Sequence, residues 1–485
     1  MDKLLGFLPD ADPTTPGVIT DCINFVPYRN GMMGAPTGQT PTDVPALAAQ
    51  CRGAAVVTKL DATRRIFAGT QTKLYELSAG SWSDVSKAGS YVGGTDSRWS
   101  ITQFGDTTVA ANGVEAIQST SSGSFASIAT APIAEIVFSV GAFVMALNTI
   151  DGTYGTQQDR WWCCGSYDVS TWTPSTTTLA TTGRLVSAPG PILAGGRLGE
   201  YAVVYKQRAV YLGQYVGAPE VWSFTQVPGG EAGCVGKEAW CDVGNAHVFV
   251  GTENIWAFDG TRPTPIGVGE VRDWFYSNSN ASYLYKTKCV FDRKANAVWI
   301  FFPSLSSTTC DKALVHHLGT KQWGVANIAI EAALDYVSSG VTIDGLDTLS
   351  ATIDGLSAYS FDSQYWISGG RALSIVNTSH QLQLLTGNTS TSGFTTGDIG
   401  DDEGVTLISK VRMRFAPGYT PSLATLQMSG KMTEGDGLTV GPSATLGDGK
   451  FDVLQSARFH RASFSFTGPV RVLAVGAQSK PQGNA

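Results

Sequence analysis

Charged residues make up only 15% of this 485-residue chain, too few to coat the solvent faces of a helical bundle, so a helix-rich fold is disfavoured at the outset. Cations are not in surplus either. The 33 Lys and Arg stand against 40 Asp and Glu, and a net charge of −7 has the wrong sign for a broad phosphate-gripping surface. Residues 381–485 hold 9 basic and 8 acidic residues, leaving 24 basic and 32 acidic, or −8, in residues 1–380. No apolar run approaches the ~20 residues of a membrane helix, the longest apolar-rich segment being Ile136–Leu147. Leu4–Leu8 is shorter than a signal-peptide core and runs directly into Asp10 and Asp12. The expectation is a protein made in the cytoplasm, without membrane insertion.

Motifs of enzymatic chemistry are missing as well. The sequence contains no GxSxG elbow, P-loop, GxGxxG after a strand, HExxH, calcium-loop pattern or run of sialidase aspartate boxes. Its eight cysteines include no CxxC pair, and adjacent Cys163 and Cys164 are poorly disposed for a simple bridge, so reduced thiols are expected. His316 and His317 would point to opposite faces of a strand and could not hold one ion together. No catalytic residue, metal site or cofactor is therefore assigned. Three groups stay in view. Asp151, Asp259, Asp344 and Asp354 could supply the paired carboxylates of a glycosidase. Each precedes glycine, however, and Asp-Gly is foremost a hairpin-turn dipeptide. The acidic stretch Asp398–Glu403 reads as a solvated loop that could hold a divalent cation weakly. Trp161, Trp162 and Trp172 could form a carbohydrate platform or a subunit-interface anchor, although blade cores use tryptophan in the same way.

What the chain does have is turn and strand material: 56 Gly, 42% hydrophobic residues and 10% aromatics. Between about Thr63 and Trp366 one pattern returns, a short apolar strand, a polar turn, a second strand ending in an aromatic, then a Gly or Asp-Gly turn. Arg65–Thr70 leads into Lys73–Leu77 and Trp82; Tyr201–Tyr205 is followed by Ala209–Leu212 and Trp222; His247–Val250 by Asn254–Phe258; Cys289–Phe291 by Ala297–Phe302. A period of roughly 40–50 residues matches a four-stranded blade, and the fold class is all-β, a β-propeller followed by a C-terminal antiparallel β-sandwich-like domain. The expected layout is a segment 1–62 that closes the propeller and contacts neighbours, a propeller over 63–385, a linker or exposed loop over 386–404, where Thr386–Gly397 is rich in Ser, Thr and Gly, a small sandwich over 405–476, and a disordered tail over 477–485. Val341–Leu346 and Ala351–Leu356 form a near-repeat read as a local hairpin.

The opening Gly6–Cys22, followed by Asn24–Pro27 and Gly34–Pro36, and the ending Ala457–Arg461 with Phe464, Val472, Val475 and Gly476, resemble tail nozzle or packaged-DNA stabilisation proteins (tail tubular protein B-like) of short-tailed bacteriophages, the podoviruses. Gly195–Arg197, Tyr201–Tyr205, Val210–Leu212 and Gly251–Gly260 fall where that group carries propeller strands. The resemblance implies a non-enzymatic virion protein of the tail. It would form a homo-oligomeric, hexameric ring below the portal and adaptor ring proteins, beside tail fibre or spike proteins. It would retain the packaged genome and conduct double-stranded DNA at ejection without sequence-specific binding. Many of that group are longer, so inserted fibre-contact or platform domains are absent from this span. The net negative charge of residues 1–380 suits a conduit with an acidic or neutral lining. Two other functions compete: a carbohydrate-binding receptor-recognition module of a phage tail, and a propeller glycosidase.

Overall fold

The computed structural model describes residues 2–41, 44–78, 80–229, 231–337, 352, 371–400 and 404–483. The Val341–Leu346 and Ala351–Leu356 near-repeat, Asp344, Asp354 and Trp366 lie outside the described residues, apart from Thr352.

The alternating hairpins form the blades of a β-propeller. Five four-stranded antiparallel meanders follow one another along the chain: Ala54–Asp84, Ser100–Ser127, Ile133–Arg184, Ile192–Gln226 and Trp240–Ile266. The sixth meander, Lys288–Ala326, is built in the same way, but its outer strand Trp323–Ala326 also pairs with Phe25–Tyr28 and so continues into a larger sheet. The last blade is composite: Ala332–Val337, Arg371–Val376 and Leu382–Gly387 take their fourth strand, Thr37–Gln39, from near the start of the chain. Among the described residues there are thus six self-contained four-stranded sheets and one meander joined to its neighbour. The first strands of successive units lie side by side, and the last returns to the first.

Packing between blades explains why small and large residues alternate there. Ile192–Leu198 meets Trp240–Asp242 through Gly196, where an added Cβ would lie 1.9 Å from the Trp240 ring. Only a residue without a side chain lets the indole lie flat against that strand. Gly69 accommodates Trp99 similarly between the first two blades, with an added Cβ 2.1 Å from the ring. Continuous apolar clusters fill the wedges between neighbouring blades, with Phe67, Phe125, Trp99 and Tyr91 in one and Phe138, Leu147, Trp161 and Tyr211 in another.

Beside the propeller lies an end layer built from both ends of the chain. One sheet runs Phe25–Tyr28, Gly31–Gly34, Arg471–Gly483, Val405–Phe415, Lys450–Ala457, with Asp2–Lys3 also on Arg471–Gly483. The other runs Gly6–Phe7, Val18–Ile23, Thr391–Thr396, Phe459–Thr467, Leu423–Lys431, Thr439–Thr445. Their apolar faces share a core in which the rings of Phe25 and Phe394 are 5.0 Å apart and those of Phe451 and Phe464 5.6 Å. The N-terminal strands are fixed to the propeller as well. Asp10 accepts the backbone N–H groups of Asp273 and Trp274 at 2.7 and 3.0 Å, capping the short helix Arg272–Asn278 between the fifth and sixth blades.

Four features differ from the layout read in the sequence. The propeller begins at Ala54 rather than 63. Within 386–404, expected as a linker or exposed loop, Thr391–Thr396 is a central strand, because Ser392, Phe394 and Thr396 alternate into the core while threonine favours extended backbone. The C-terminal strands do not form a sheet pair by themselves over 405–476, since Gly6–Gly34 and Thr391–Thr396 complete both sheets. Nor is the tail loose from 477: Arg471–Gly483 is one continuous strand, paired along its length with Val405–Phe415.

Candidate functional site

The tryptophans proposed as a platform are interior. Trp161 and Trp162 are each 6% exposed and Trp172 is fully buried, all in the core of the third blade and its neighbours. Trp172 donates its indole N–H to the Val169 carbonyl at 2.8 Å, and Trp161 packs on Phe224 with ring centres 4.8 Å apart. A sugar cannot stack on them, and the blade-core use of tryptophan accounts for all three. The same holds for the described aspartates. Asp151 accepts the N–H groups of Thr153 and Tyr154, and Asp259 the N–H and the hydroxyl of Thr261, as turn residues do. Asp398 is not part of a solvated loop. Its side chain is 1% exposed between Lys431, at 3.0 Å, and Arg461. Burial alone would raise its carboxyl, but Arg461 and Lys431 hold it below the ordinary value. Asp401–Glu403 lie outside the described residues.

The histidines serve the core. His247 is fully buried between the Tyr205 hydroxyl, 2.8 Å from Nδ1, and the Arg197 carbonyl, 3.0 Å from Nε2, joining the fourth and fifth blades. His316 stacks on Trp323 at 4.0 Å and burial pushes it down to about 4, whereas His317 turns to Thr320. All eight cysteines are free, and burial raises the Cys163 and Cys164 thiols to about 12. Among the described residues no cluster of three or more His, Cys, Asp or Glu could hold a metal.

The site that the blades assemble lies at one mouth of the propeller axis. A cavity of about 280 Å³ there draws on every blade, because the residues lining it sit at or just before the first strand of each: Arg52, Arg98, Glu135, Leu193, Lys237, Lys288 and Glu331. Ion pairs cross the axis. Glu238, beside the fifth blade, bonds Arg98 from the second and Lys288 from the sixth, the latter at 2.5 Å. Arg98 also donates to the Glu331 carbonyl at 2.9 Å, and Lys237 donates to the Arg98 carbonyl at 2.6 Å. Burial would raise the Glu238 carboxyl, yet the two cations beside it bring it to about 2. Burial lowers Lys237 to about 8, only partly offset by Glu135 and Glu238. At this level the axis is therefore bridged by charge and is not an open tube.

Sequence reading missed this cluster, whose members are scattered singly over more than two hundred positions. A signal exists: Arg52, Arg98, Lys237 and Glu331 each stand one to three positions before an innermost strand, so aligning the blades on those strands would gather them.

A second feature is on the end layer. Thr439–Thr445 ends one sheet and Lys450–Ala457 ends the other. Val440 and Leu454 on these edges are 73% and 70% exposed, beside exposed Leu438 and Met432. Unpaired edges carrying apolar side chains are sites where another chain can add.

No protein-family model matches the sequence, and no curated protein is significantly similar to it. Among solved structures, one described as YCF48 bound to D1 peptide is similar at 11% identity with a TM-score of 0.37, covering 75% of this chain and 98% of that one. A chain in a crystal structure of a mitotic checkpoint complex is similar at 8% identity with a TM-score of 0.38, covering 74% and 93%. At this distance neither description bears on what the present chain binds.

Proposed function

We propose that the chain is a non-enzymatic, ring-forming subunit of a short-tailed phage tail, a nozzle component that closes the tail channel, retains packaged DNA and conducts it at ejection. One observation carries the reading. The two stretches on which the resemblance rests, Gly6–Cys22 and Ala457–Gly476, stand at opposite ends of the sequence, yet Val18–Ile23 and Phe459–Thr467 flank the same strand, Thr391–Thr396. Two remote sequence signatures thus make a single structural unit, as an assembly module would. In this reading the DNA bore lies between copies, because the propeller axis is crossed by Arg98, Glu238 and Lys288. Ring closure needs a heterologous contact, one surface of each copy on a different surface of the next. The two open sheet edges at Val440 and Leu454 offer one half of such a contact.

Light scattering on the full chain tests the reading, followed by addition of portal and adaptor rings. The expected result is a hexameric ring, formed alone or on the adaptor, that is weakened by Val440→Glu combined with Leu454→Glu. A chain that stays monomeric in both settings, or sediments independently of purified tails, overturns it. The ring is expected to bind random duplex DNA weakly; tight binding that falls steeply with salt would refute the passive-conduit part.

A further inference from the structure

We propose that the axial cavity is a binding site for a small carboxylate, one acidic group on a short apolar body. The inference is independent of the tail reading and rests on how charges around the cavity are paired.

Glu238 answers two cations at once, Arg98 and Lys288, which leaves a positive excess. The Glu331 carboxylate is engaged elsewhere, accepting from the Cys51 N–H at 2.8 Å and facing His380 Nδ1 at 2.9 Å. Arg52 has no carboxylate partner among the described residues. Its guanidinium donates to the Gly94 carbonyl, at 2.5 Å, and feels the like charge of Arg98 and, in the opposite sense, the carboxylate of Asp96, which is itself paired with Lys286 at 3.4 Å. Lys237 is bonded to a backbone carbonyl, with Glu135 no nearer than 3.7 Å. Cations held in a cavity with donors unspent are what an oxyanion completes, and the planar fork of an arginine matches a carboxylate in particular. Part of the remaining wall is hydrocarbon from Ile136, Ile192, Val235 and Ile330, beside polar groups that include the Asp96–Lys286 ion pair, so the ligand carries a short apolar body beside its charge. The volume of about 280 Å³ suits a molecule of a few carbon atoms and excludes a folded partner.

Titration calorimetry and thermal shift on the full chain test this with isobutyrate as the probe, isobutyramide as its uncharged isostere, and inorganic phosphate and chloride as competing anions. Isobutyrate is expected to bind saturably and to raise the unfolding temperature, while isobutyramide does neither. Arg52→Gln is expected to weaken isobutyrate by about tenfold. Arg52 sits at the cavity rim, so this variant should fold. The affinity should also fall as pH rises past about 8, where Lys237 loses its proton beside Glu135, Glu238 and Arg98. Equal responses to isobutyrate and isobutyramide, or to isobutyrate and chloride at matched ionic strength, overturn the proposal. So does binding that Arg52→Gln leaves unchanged. Tighter binding of phosphate than of isobutyrate would also overturn the assignment to carboxylates.

Discussion

Replacing Glu238 by Gln should be among the most damaging single substitutions in the propeller. The carboxylate lies between Arg98 and Lys288, and its side chain is 28% exposed against 21% and 7% for theirs. Removing its charge leaves two largely buried cations facing each other, and breaking such a pair costs about 3–5 kcal/mol. Linkage gives a similar figure. With the folded carboxyl near 2 against an ordinary 4.5, the difference corresponds to about 3 kcal/mol, the lower end being apt for a group still partly in contact with solvent. The sign follows from the depressed value: the contribution is fully present above about 4.5 and is lost as pH falls toward about 2. Guanidinium unfolding of the parent and Glu238→Gln at neutral pH should differ by that amount, and the gap should close progressively below pH 4.5. Glu231→Gln, which removes a partner of Arg208 where both side chains are more than half exposed, serves as control and should cost little. If Glu238→Gln unfolds with the control, or the gap persists unchanged at low pH, the axial network does not hold the blades together as described.

Other expectations concern the core. Gly196→Ala should destabilise the fold by about 1–3 kcal/mol in denaturant titrations, because its methyl would collide with the Trp240 ring. Trp172→Ala should cost about 3–5 kcal/mol, as expected of a fully buried indole. Thiol titration with a disulfide reagent should find almost no reactive cysteine in the native protein and all eight after denaturation, since each thiol is pushed up by burial. Incubation with host-surface polysaccharide should release no sugar; release abolished by Asp151→Asn or Asp259→Asn would contradict the assignment of both to turns.

The blades were legible because their signal is local. Tyr201–Lys206 and Ala297–Phe302 announce strands by composition, and the Asp259–Gly260 turn that ends a hairpin lies within a few residues of it. Features that depend on distant partners were not legible. Thr391–Thr396 looked like a linker because its Ser, Thr and Gly content suits a loop equally well, and only pairing with Val18–Ile23 and Phe459–Thr467 decides between the two. Trp161 and Trp162 left a surface platform open beside a place in the blade core, because an adjacent pair on a strand faces opposite ways and nothing nearby in the sequence shows that both faces are covered. Arg98 and Glu238 are 140 positions apart, and no periodicity links a charge in one blade to its counterpart across the axis.

That Thr37–Gln39 closes the last blade has a consequence for the order in which the molecule is made. Thr37 lies 351 positions before Asn388, the residue it bonds beside the final blade. A ribosome adding about 5–20 residues per second needs roughly 20–70 s to cover that distance. Throughout this interval earlier blades can stack as they emerge, while Thr37–Gln39 and Val18–Ile23 wait for their late partners Leu382–Gly387 and Thr391–Thr396. The nascent chain thus exposes adhesive edges for most of its synthesis. Crowded polysomes would be where neighbouring chains most readily exchange these strands, and slowing translation should raise the yield of entangled dimers.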